Sequence, residues 1–283
     1  MSEQIDTAVR WATKQLESCS DSPRLDAELL LAHCLDKPRS HLYAWPQQTL
    51  TEACWQRFQA LVQQRLLPTP VAYLLGRREF FSMEYATTPA ALVPRAETEL
   101  LVELALREIP QDRALRICDL GTGSGIIAIT IKKQRPLTSF WATDVDPACL
   151  ALARENALRH EVEIEFIESD WYQSLPAGLR FDLILSNPPY VAADHPFLAQ
   201  GDLPAEPAIA LSPGASGLEA LEIIIARAPD YLEPGGMLMV EHGYDQEAAV
   251  AALLRAAGFE QIRCESDLND LPRASIARLP KPR

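Results

Sequence analysis

The segment Asn187-Pro188-Pro189-Tyr190 has the residues best suited to chemistry on a planar amide or amino nitrogen. Such a nitrogen is a poor nucleophile because its lone pair is delocalised, so its N–H groups must be engaged and its lone pair aimed. The Asn187 side-chain oxygen can accept one N–H, and the Pro188 carbonyl can accept the other. The prolines restrict the backbone, and the Tyr190 ring can pack on the planar group. The segment therefore predicts catalysis by orientation and electrostatics, although a rigid turn after a strand is the structural alternative.

A glycine-rich loop follows a short apolar strand and opens a helix; its residues are Gly121, Thr122, Gly123, Ser124 and Gly125. Glycines suit a sharp turn that approaches a ligand closely, and the open amides of a helix start favour electron-rich ligand atoms. The spacing is G-x-G-x-G, not the G-x-G-x-x-G of dinucleotide sites, and Asp119 stands just before it. A carboxylate there would repel a pyrophosphate but suits a ligand with an ammonium group, such as S-adenosylmethionine. Taken alone, the loop also allows a structural turn or a nucleotide site.

Two further acidic or aromatic positions follow predicted strands. Asp144 ends the next strand, 144 − 119 = 25 positions after Asp119, where an acid accepts hydrogen bonds from ribose hydroxyls. Asp170-Trp171 follows another strand, and such a pair can bond an adenine amino group and cover its ring. The alternatives are an ordinary loop aspartate, for which Asp146 is the better helix cap, and a buried core tryptophan. With the glycine loop upstream, we expect Asp144 and Trp171 to bind the cofactor.

These segments lie in a region, from about residue 91, that alternates predicted strands and helices. The predicted strands are Leu115–Leu120, Phe140–Asp144, Ile164–Ile167, Phe181–Leu185, Met237–Glu241, Gln261–Glu265 and Ala274–Leu279. The predicted helices are Ser124–Lys133, Pro147–Leu158, Leu218–Ala228 and Gln246–Ala257. The alternation predicts a doubly wound, mostly parallel α/β sheet, in which ligands bind at the carboxyl ends of the strands.

The region before Pro68 has apolar residues at helical spacing and predicts a small helical domain. The three stripes are Ile5, Ala8, Val9, Ala12 and Leu16; Leu25, Leu29 and Ala32 after a Ser22-Pro23 start; and Trp55, Phe58, Val62 and Leu66 after a Thr51 cap. The aromatic, alternating segment Glu79–Tyr85 predicts a hairpin. We therefore predict a helical recognition domain over residues 1–75, a β-hairpin linker over 76–92 and a catalytic α/β domain over 93–283.

Composition narrows the class of protein. The chain has 283 residues and a charge sum of 26 − 39 = −13, which disfavours tight binding to DNA or bulk RNA because such binding neutralises phosphates. The six cysteines form no C-x-x-C pair, so we expect reduced core cysteines and no metal site. No apolar run suits a signal peptide or a membrane span. We expect a soluble, cytoplasmic protein, monomeric, with no membrane and no direct nucleic-acid contact.

Over nearly its whole length the chain resembles the protein-(glutamine-N5) methyltransferases of peptide-chain release factors, the PrmC/HemK family. The similar segments are Pro70–Gly76, Glu79-Phe80, Val93–Glu99, Asp119–Gly125, Asp144, Ser169–Trp171, Asn187–Tyr190, Glu206-Pro207 with Ala210-Leu211, and Glu241–Gly243. The resemblance implies an N-terminal helical bundle, a hairpin linker and a class I S-adenosylmethionine-dependent methyltransferase domain with a seven-stranded sheet. It implies that Gly121–Gly125, Asp144, Trp171 and Asn187 line the cofactor, and that Asn187–Tyr190 hold the glutamine of a release factor's Gly-Gly-Gln loop.

Other interpretations of the sequence exist, and the chain differs from the usual family pattern at two places. A sister family that methylates a ribosomal protein shares the N-P-P-Y segment but differs around Arg95–Glu99 and Glu241–Gly243. An adenine N6 methyltransferase on DNA or RNA would suit the same segment, and a non-catalytic cofactor-binding scaffold is a third interpretation. Ala96 replaces the usual proline, and Asp267–Arg273 lacks the usual glycine. The functions of Arg95, Glu97, Glu99, Glu206 and Glu241 stay open at this level.

Overall fold

The computed structural model describes residues 3–281, which form two compact units. The first comprises the chain up to Arg77 together with Pro196–Glu206, and the second comprises Arg78–His195 and the chain from Pro207 onward. The sequence indicates a boundary near residue 75 but gives no sign that a later segment joins the first unit. The assignment of recognition to one domain and catalysis to the other stays a prediction.

The first unit is helical. Its helices are α1 (Ile5–Leu16), α2 (Pro23–Leu35), α3 (Arg39–Ala44), α4 (Glu52–Arg65) and α5 (Val71–Leu75). The predicted stripe from Ile5 to Leu16 is buried, as are Phe58 and Val62. Thr51 caps α4 by accepting a hydrogen bond from the Cys54 amide at 3.2 Å, as the sequence predicts.

The predicted buried face of α2 is confirmed at Ala32 and wrong at Leu25. Leu25 is exposed and Leu29 is half-buried, whereas the neighbouring positions Ala27, Leu30 and Leu31 are fully buried. The helix is apolar on most sides, so the spacing of its leucines alone leaves the inward face ambiguous. Asp26 lies on the buried side, where its Oδ2 accepts from Arg65 at 2.8 Å.

A buried ion pair holds the later segment of the first unit. Arg65, only 4% exposed, donates from Nε to Asp26 Oδ2 at 2.8 Å and from Nη1 to Asp202 Oδ1 at 2.7 Å. Because a buried guanidinium is strongly destabilising without partners, both carboxylates are needed in place once Arg65 is buried. The contact fixes the segment Pro196–Glu206 on the helices of its own unit.

The second unit is built on a seven-stranded sheet with the strand order β5-β4-β3-β6-β7-β9-β8. The strands of this sheet are β3 (Arg116–Leu120), β4 (Ser139–Asp144), β5 (Glu165–Glu168), β6 (Phe181–Ser186), β7 (Leu232–Glu241), β8 (Glu260–Ser266) and β9 (Pro272–Arg278). The first five pair in parallel, and β9 is antiparallel to both β7 and β8. The predicted doubly wound, mostly parallel sheet is confirmed, and the seven strands agree with the predicted ones except that β7 begins earlier.

Helices cover both faces of this sheet and bury its apolar side chains. They are α6 (Thr98–Glu108), α7 (Ile126–Gln134), α8 (Pro147–Arg159), α9 (Ala208–Leu211), α10 (Glu219–Tyr231) and α11 (Glu247–Ala256). Leu101, Val102 and Ile129 belong to the core of one face, and Leu221 and Leu254 to the core of the other. Helix α6 is absent from the sequence-based prediction, although its apolar residues recur at helical spacing.

A hairpin of β1 (Arg77–Phe80) and β2 (Met83–Ala86) precedes α6, where the sequence predicts one. The Glu99 carboxylate accepts the Phe81 amide at 2.8 Å and so joins the hairpin to α6. Fully buried Asn156 of α8 accepts from the Ala86 amide at 2.7 Å and donates to the Ala86 and Ser124 carbonyls at 3.2 and 3.0 Å. Asn156 therefore connects the hairpin to the glycine-rich loop.

The atypical turn between β8 and β9 forms without the glycine that is usual in the family it resembles. Asp267 Oδ1 accepts the amides of Asn269 and Leu271 at 2.9 and 3.2 Å, and Asp270 takes the left-handed conformation with φ 59°. Aspartate tolerates that conformation better than most residues with a side chain. Arg273 then pairs with Asp267 Oδ2 at 3.1 Å, which closes the turn.

The six cysteines are all free thiols, with Cys118 and Cys149 buried and the others partly buried. Within residues 3–281, no helix combines the length and the apolar character needed to cross a membrane.

We predict that Asn156→Ala lowers the free energy of unfolding by about 2–4 kcal/mol, because it leaves buried backbone groups of Ala86 and Ser124 without partners. Urea denaturation followed by circular dichroism measures this change. The control is Glu155→Ala on the same helix, which removes only an exposed ion pair with Arg159. Equal stabilities for the two variants would contradict the assignment.

Candidate active site

Strand register brings the glycine-rich loop and the N-P-P-Y segment together. Leu120, the last residue of β3, is the register partner of Ser186, the last residue of β6. The Ser186 hydroxyl also donates to the Leu120 carbonyl at 2.7 Å. Gly121 and Asn187 therefore leave adjacent strands at the same edge. The strand order reverses between β3 and β6, and this reversal is where open α/β sheets bind their ligands.

The loop itself depends on glycine backbone geometry. Gly121, Gly123 and Gly125 have φ values of 68°, 55° and 83°, a region that strains residues with a Cβ. A Cβ on Gly125 would lie 2.9 Å from Ile129 Cδ1 and 3.1 Å from Ala153 Cβ, so this glycine permits close packing of α7 and α8. A Cβ on Gly123 would meet no heavy atom within 4 Å, so that side of the loop borders open space. The loop is therefore tightly packed at Gly125 and borders open space at Gly123.

Asp119 supports this loop from beneath. It is fully buried, and its Oδ2 accepts the Thr122 hydroxyl at 2.6 Å. Burial raises the pKa of Asp119 to about 7, and the nearby Asp144 carboxylate adds to the rise. Its Oδ1 has no hydrogen-bond partner in the described part of the chain. Asp119 presents no exposed surface, so its predicted suitability for a ligand with an ammonium group stays a prediction.

Asp144 lies at the end of β4 and faces the loop. Its Oδ2 accepts the Gly123 amide at 2.8 Å, and its Oδ1 accepts the Asp146 amide at 3.0 Å. Burial raises the pKa of Asp144 above its ordinary value, and the two backbone donors oppose the rise. Each carboxylate oxygen has a second lone pair available for a hydroxyl ligand. Asp146 instead caps α8 through the Ala148 amide at 2.8 Å, the role that the sequence assigns to it.

Trp171 packs against the opposite side of the same loop. A Cβ on Gly121 would lie 3.2 Å from Trp171 Cζ3, so the indole and the glycine backbone are in close contact. Trp171 has φ 51°, an unusual conformation for a bulky residue that surrounding contacts must stabilise. The ring is only half-buried, whereas a core tryptophan would be enclosed. Asp170 is exposed and accepts from Gln173 at 2.7 Å.

Asn187 begins the N-P-P-Y segment with a defined side-chain orientation. Its Nδ2 donates to the Thr98 hydroxyl, at the start of α6, at 2.9 Å. Its Oδ1 accepts no hydrogen bond from residues 3–281, and the side chain is half-buried. Pro188 is buried, and the following Pro189 ring restricts the backbone of Pro188. The Asn187 carboxamide oxygen is thus available to accept a hydrogen bond from a ligand.

Tyr190 is held by a buried acid at the end of β7. The Tyr190 hydroxyl donates to Glu241 Oε1 at 3.1 Å. Burial raises the pKa of Glu241 to about 7, while hydrogen bonds from Thr98 and Tyr190 and the charge of Arg273 lower it. Burial also raises the pKa of Tyr190 well above its ordinary value, so the phenol stays protonated and available as a donor.

The backbone after Tyr190 is fixed by residues from three later segments. Gln246 Nε2 donates to the Tyr190 carbonyl at 2.9 Å, and the Val191 amide donates to the Leu211 carbonyl at 3.0 Å. A Cβ on Gly217 would lie 2.6 Å from the Tyr190 carbonyl oxygen, so only glycine permits this close approach. These contacts hold the segment rigid beyond what its prolines impose.

Sequence reasoning predicts most of these residues but misses Thr98 and Arg273, and it leaves Glu241 without a role. The structure brings the predicted loop, Asp144, Trp171 and N-P-P-Y segment to one edge of the sheet. Thr98 lies in the segment Val93–Glu99 that resembles the family, but nothing in the sequence assigns it a partner or a role. The turn around Ala96 forms without a proline, with the Glu99 amide donating to the Ala96 carbonyl at 3.0 Å.

Models of known protein families match both the helical region and the α/β region of this chain. A family model described as PrmC N-terminal domain matches residues 7–76, and one described as Methyltransferase small domain matches residues 96–201. The catalytic domain of hMettl16, solved in complex with MAT2A 3'UTR hairpin 6, superposes with a TM-score of 0.58 at 16% identity, covering 73% of this chain and 80% of that chain. At this identity the structural likeness shows the class I methyltransferase fold alone.

Curated relatives are similar over nearly their full length. The Release factor glutamine methyltransferase of Xylella fastidiosa (strain 9a5c) is 47% identical over 270 residues, covering 95% of this chain and 96% of its own. The Release factor glutamine methyltransferase of Burkholderia pseudomallei (strain K96243) is 45% identical over 272 residues, covering 94% of this chain and 95% of its own. With this identity across both units, the chain belongs to the release factor glutamine methyltransferase family.

Proposed function

We propose that this enzyme transfers a methyl group from S-adenosylmethionine to the side-chain amide nitrogen of a glutamine in a peptide-chain release factor, within the Gly-Gly-Gln motif. The family membership supports the substrate, and the geometry supports the chemistry. The observation that carries the proposal is the free Oδ1 of Asn187 next to the glycine-rich loop, at the reversal point of the sheet. A hydrogen-bond acceptor for an amide N–H thus lies beside a cofactor-binding edge.

The residues of the loop fit S-adenosylmethionine, which supplies an electrophilic methyl group on a sulfonium. Gly121–Gly125 offer open backbone next to the start of α7, Asp144 offers carboxylate lone pairs for ribose hydroxyls, and Trp171 offers a half-exposed ring. Asn187 lines the same edge. Buried carboxylates at Asp119 and Asp144 create a negative field, which favours a cationic ligand and disfavours a pyrophosphate.

The acceptor amide is held by the N-P-P-Y segment. Asn187 Oδ1 accepts one N–H, the Pro188 carbonyl accepts the second, and the rings of Pro189 and Tyr190 bound the planar group. Holding both N–H groups turns the nitrogen lone pair toward the methyl group and polarises the amide. Methyl transfer makes the nitrogen cationic and strongly acidic, so it then loses its proton to solvent and no general base is required before attack.

We also infer that the enzyme acts in the cytoplasm, as a monomer, on a protein and without direct nucleic-acid contact. The net charge of −13 supports the last point because a phosphate backbone would be repelled. Size-exclusion chromatography with light scattering tests the monomer.

The substrate is tested with purified enzyme and methyl-labelled S-adenosylmethionine. We expect label in release factor, located by peptide mass spectrometry on the glutamine of Gly-Gly-Gln, and none in a release factor whose glutamine is replaced by alanine. DNA, RNA and ribosomal proteins are offered separately. Label confined to nucleic acid would replace the proposal with adenine methylation, and label confined to a ribosomal protein would replace it with the sister activity.

We predict that Asn187→Ala lowers kcat by roughly 10²- to 10³-fold, because the substrate N–H loses its preorganised acceptor. Cofactor affinity, measured by calorimetry, changes much less because the loop and Asp144 remain. Asn269→Ala, at an exposed position in the β8–β9 turn, is the matched control. Near-normal turnover in Asn187→Ala would remove Asn187 from the mechanism.

We predict that Asp144→Asn weakens S-adenosylmethionine binding by roughly 10- to 100-fold, because hydrogen bonds to a charged acceptor contribute more than those to a neutral amide. The matched control is Asp146→Asn, two residues away, since asparagine is an equally good helix cap. Calorimetry measures both. Equal affinities in the two variants would exclude Asp144 as a cofactor ligand.

A further inference from the structure

A chain of polar side chains connects the two ends of the N-P-P-Y segment through the protein interior. Asn187 Nδ2 donates to the Thr98 hydroxyl at 2.9 Å, and the Tyr190 hydroxyl donates to Glu241 Oε1 at 3.1 Å. The Thr98 hydroxyl is also close enough to the Glu241 carboxyl to lower its pKa. Thr98 is 1% exposed and Glu241 is 2% exposed, so water does not compete for these groups. Each hydroxyl or amide proton in this hydrogen-bonded series therefore has few alternative positions.

An ionised Glu241 fixes which group donates and which accepts in each hydrogen bond of this series. A carboxylate can only accept hydrogen bonds, so both neighbouring hydroxyls must donate to it. The Thr98 hydroxyl has one proton, and once that proton is directed at Glu241 the oxygen can only accept. The Asn187 group facing Thr98 must then be the donor Nδ2, which leaves Oδ1 on the outer side.

We propose that Glu241, acting through Thr98, is a positioning residue that orients the Asn187 carboxamide so that its oxygen faces the acceptor amide. The inference rests on the proposed function, because it explains why Asn187 Oδ1 is left available to accept from the substrate amide. A neutral group at position 241 could donate to Thr98, which could then donate to Asn187 Oδ1. The carboxamide would be stable in the reversed orientation and would present N–H groups to a substrate that needs an acceptor.

The charged groups around Glu241 are consistent with an ionisable but stabilised acid. Arg273 of β9 lowers the pKa of Glu241, and Glu97, just before α6, raises it. Arg273 is itself shared with Asp267 at 3.1 Å. The next residue, His242, is engaged with the Ser275 hydroxyl at 2.9 Å and the Gly243 carbonyl at 2.8 Å. Glu241 Oε2 is buried without a hydrogen-bond partner in the described residues, so it can accept the proton of the Thr98 hydroxyl.

The test compares Glu241→Gln, Thr98→Val and Thr98→Ser with the wild-type enzyme, using release factor and S-adenosylmethionine. We expect Glu241→Gln and Thr98→Val to lower kcat by roughly 10- to 100-fold, because a small misplacement of a group that positions the substrate can cost about 10²-fold in rate. The KM for release factor and the calorimetric Kd for the cofactor should change little. Thr98→Ser, which keeps the hydroxyl, should restore most of the activity that Thr98→Val loses. Circular dichroism and thermal unfolding establish that each variant is folded.

A pH profile of kcat separates orientation from a structural role. The pKa of Glu241 is about 7, so wild-type kcat should fall as the pH drops through that value and the carboxylate is protonated. Glu241→Gln should lack this decrease. Asp119, whose pKa is also about 7, is present in both proteins and so cannot account for a difference between them.

Each outcome decides between the alternatives. Retention of wild-type kcat in folded Glu241→Gln would overturn the inference, as would equal losses in Thr98→Val and Thr98→Ser or an effect confined to KM. If Glu241→Gln fails to fold, the Thr98 pair alone decides. A wild-type enzyme that does not methylate release factor would instead refute the proposed function.

Discussion

Parallel pairing of β3 with β6 is the constraint on which the candidate site depends. It places Leu120 opposite Ser186, so that two loops separated by more than 60 positions in the chain begin side by side. Hydrogen bonds of the ladder fix this register, and a shift of one residue would turn the buried side chains of either strand toward the wrong face. The positions of the loop glycines and of Asn187 follow from that pairing, because both loops start at the paired strand ends.

The second feature of the site is its set of buried carboxyl groups. Asp119, Asp144 and Glu241 are all shielded from water, and desolvation raises the pKa of each. Such groups cost stability unless partners compensate, and here backbone amides and hydroxyls do so at Asp144 and at one oxygen each of Asp119 and Glu241. The negative field of Asp119 and Asp144 suits a sulfonium ligand, whose positive charge favours the ionised carboxylates. The same burial at Glu241 makes hydrogen-bond directions definite, because the enclosed carboxyl is shielded from bulk water.

Rigidity in the methyl-accepting segment has three independent sources. The prolines limit φ, Gly217 allows a neighbouring loop to approach the Tyr190 carbonyl, and Gln246 donates to that carbonyl. Only the first is visible in the local sequence. Catalysis by orientation requires the reacting amide to be held within a narrow range of positions, so this redundancy is physically appropriate for a reaction without a general base.

The sequence by itself determined the strands, most of the helices of the second unit, the glycine-rich loop and the N-P-P-Y segment. Those features depend on local requirements: alternation of apolar residues, positive φ at Gly121, Gly123 and Gly125, and the fixed φ of proline. Tertiary structure alone decided that Thr98 meets Asn187 across 89 positions and Tyr190 meets Glu241 across 51. It also decided that Asp119 is enclosed, that α2 buries Leu30 instead of Leu25, and that Pro196–Glu206 joins the first unit through Arg65. Such contacts join side chains from distant segments, and no local pattern encodes them because they exist only after the sheet and helices have packed.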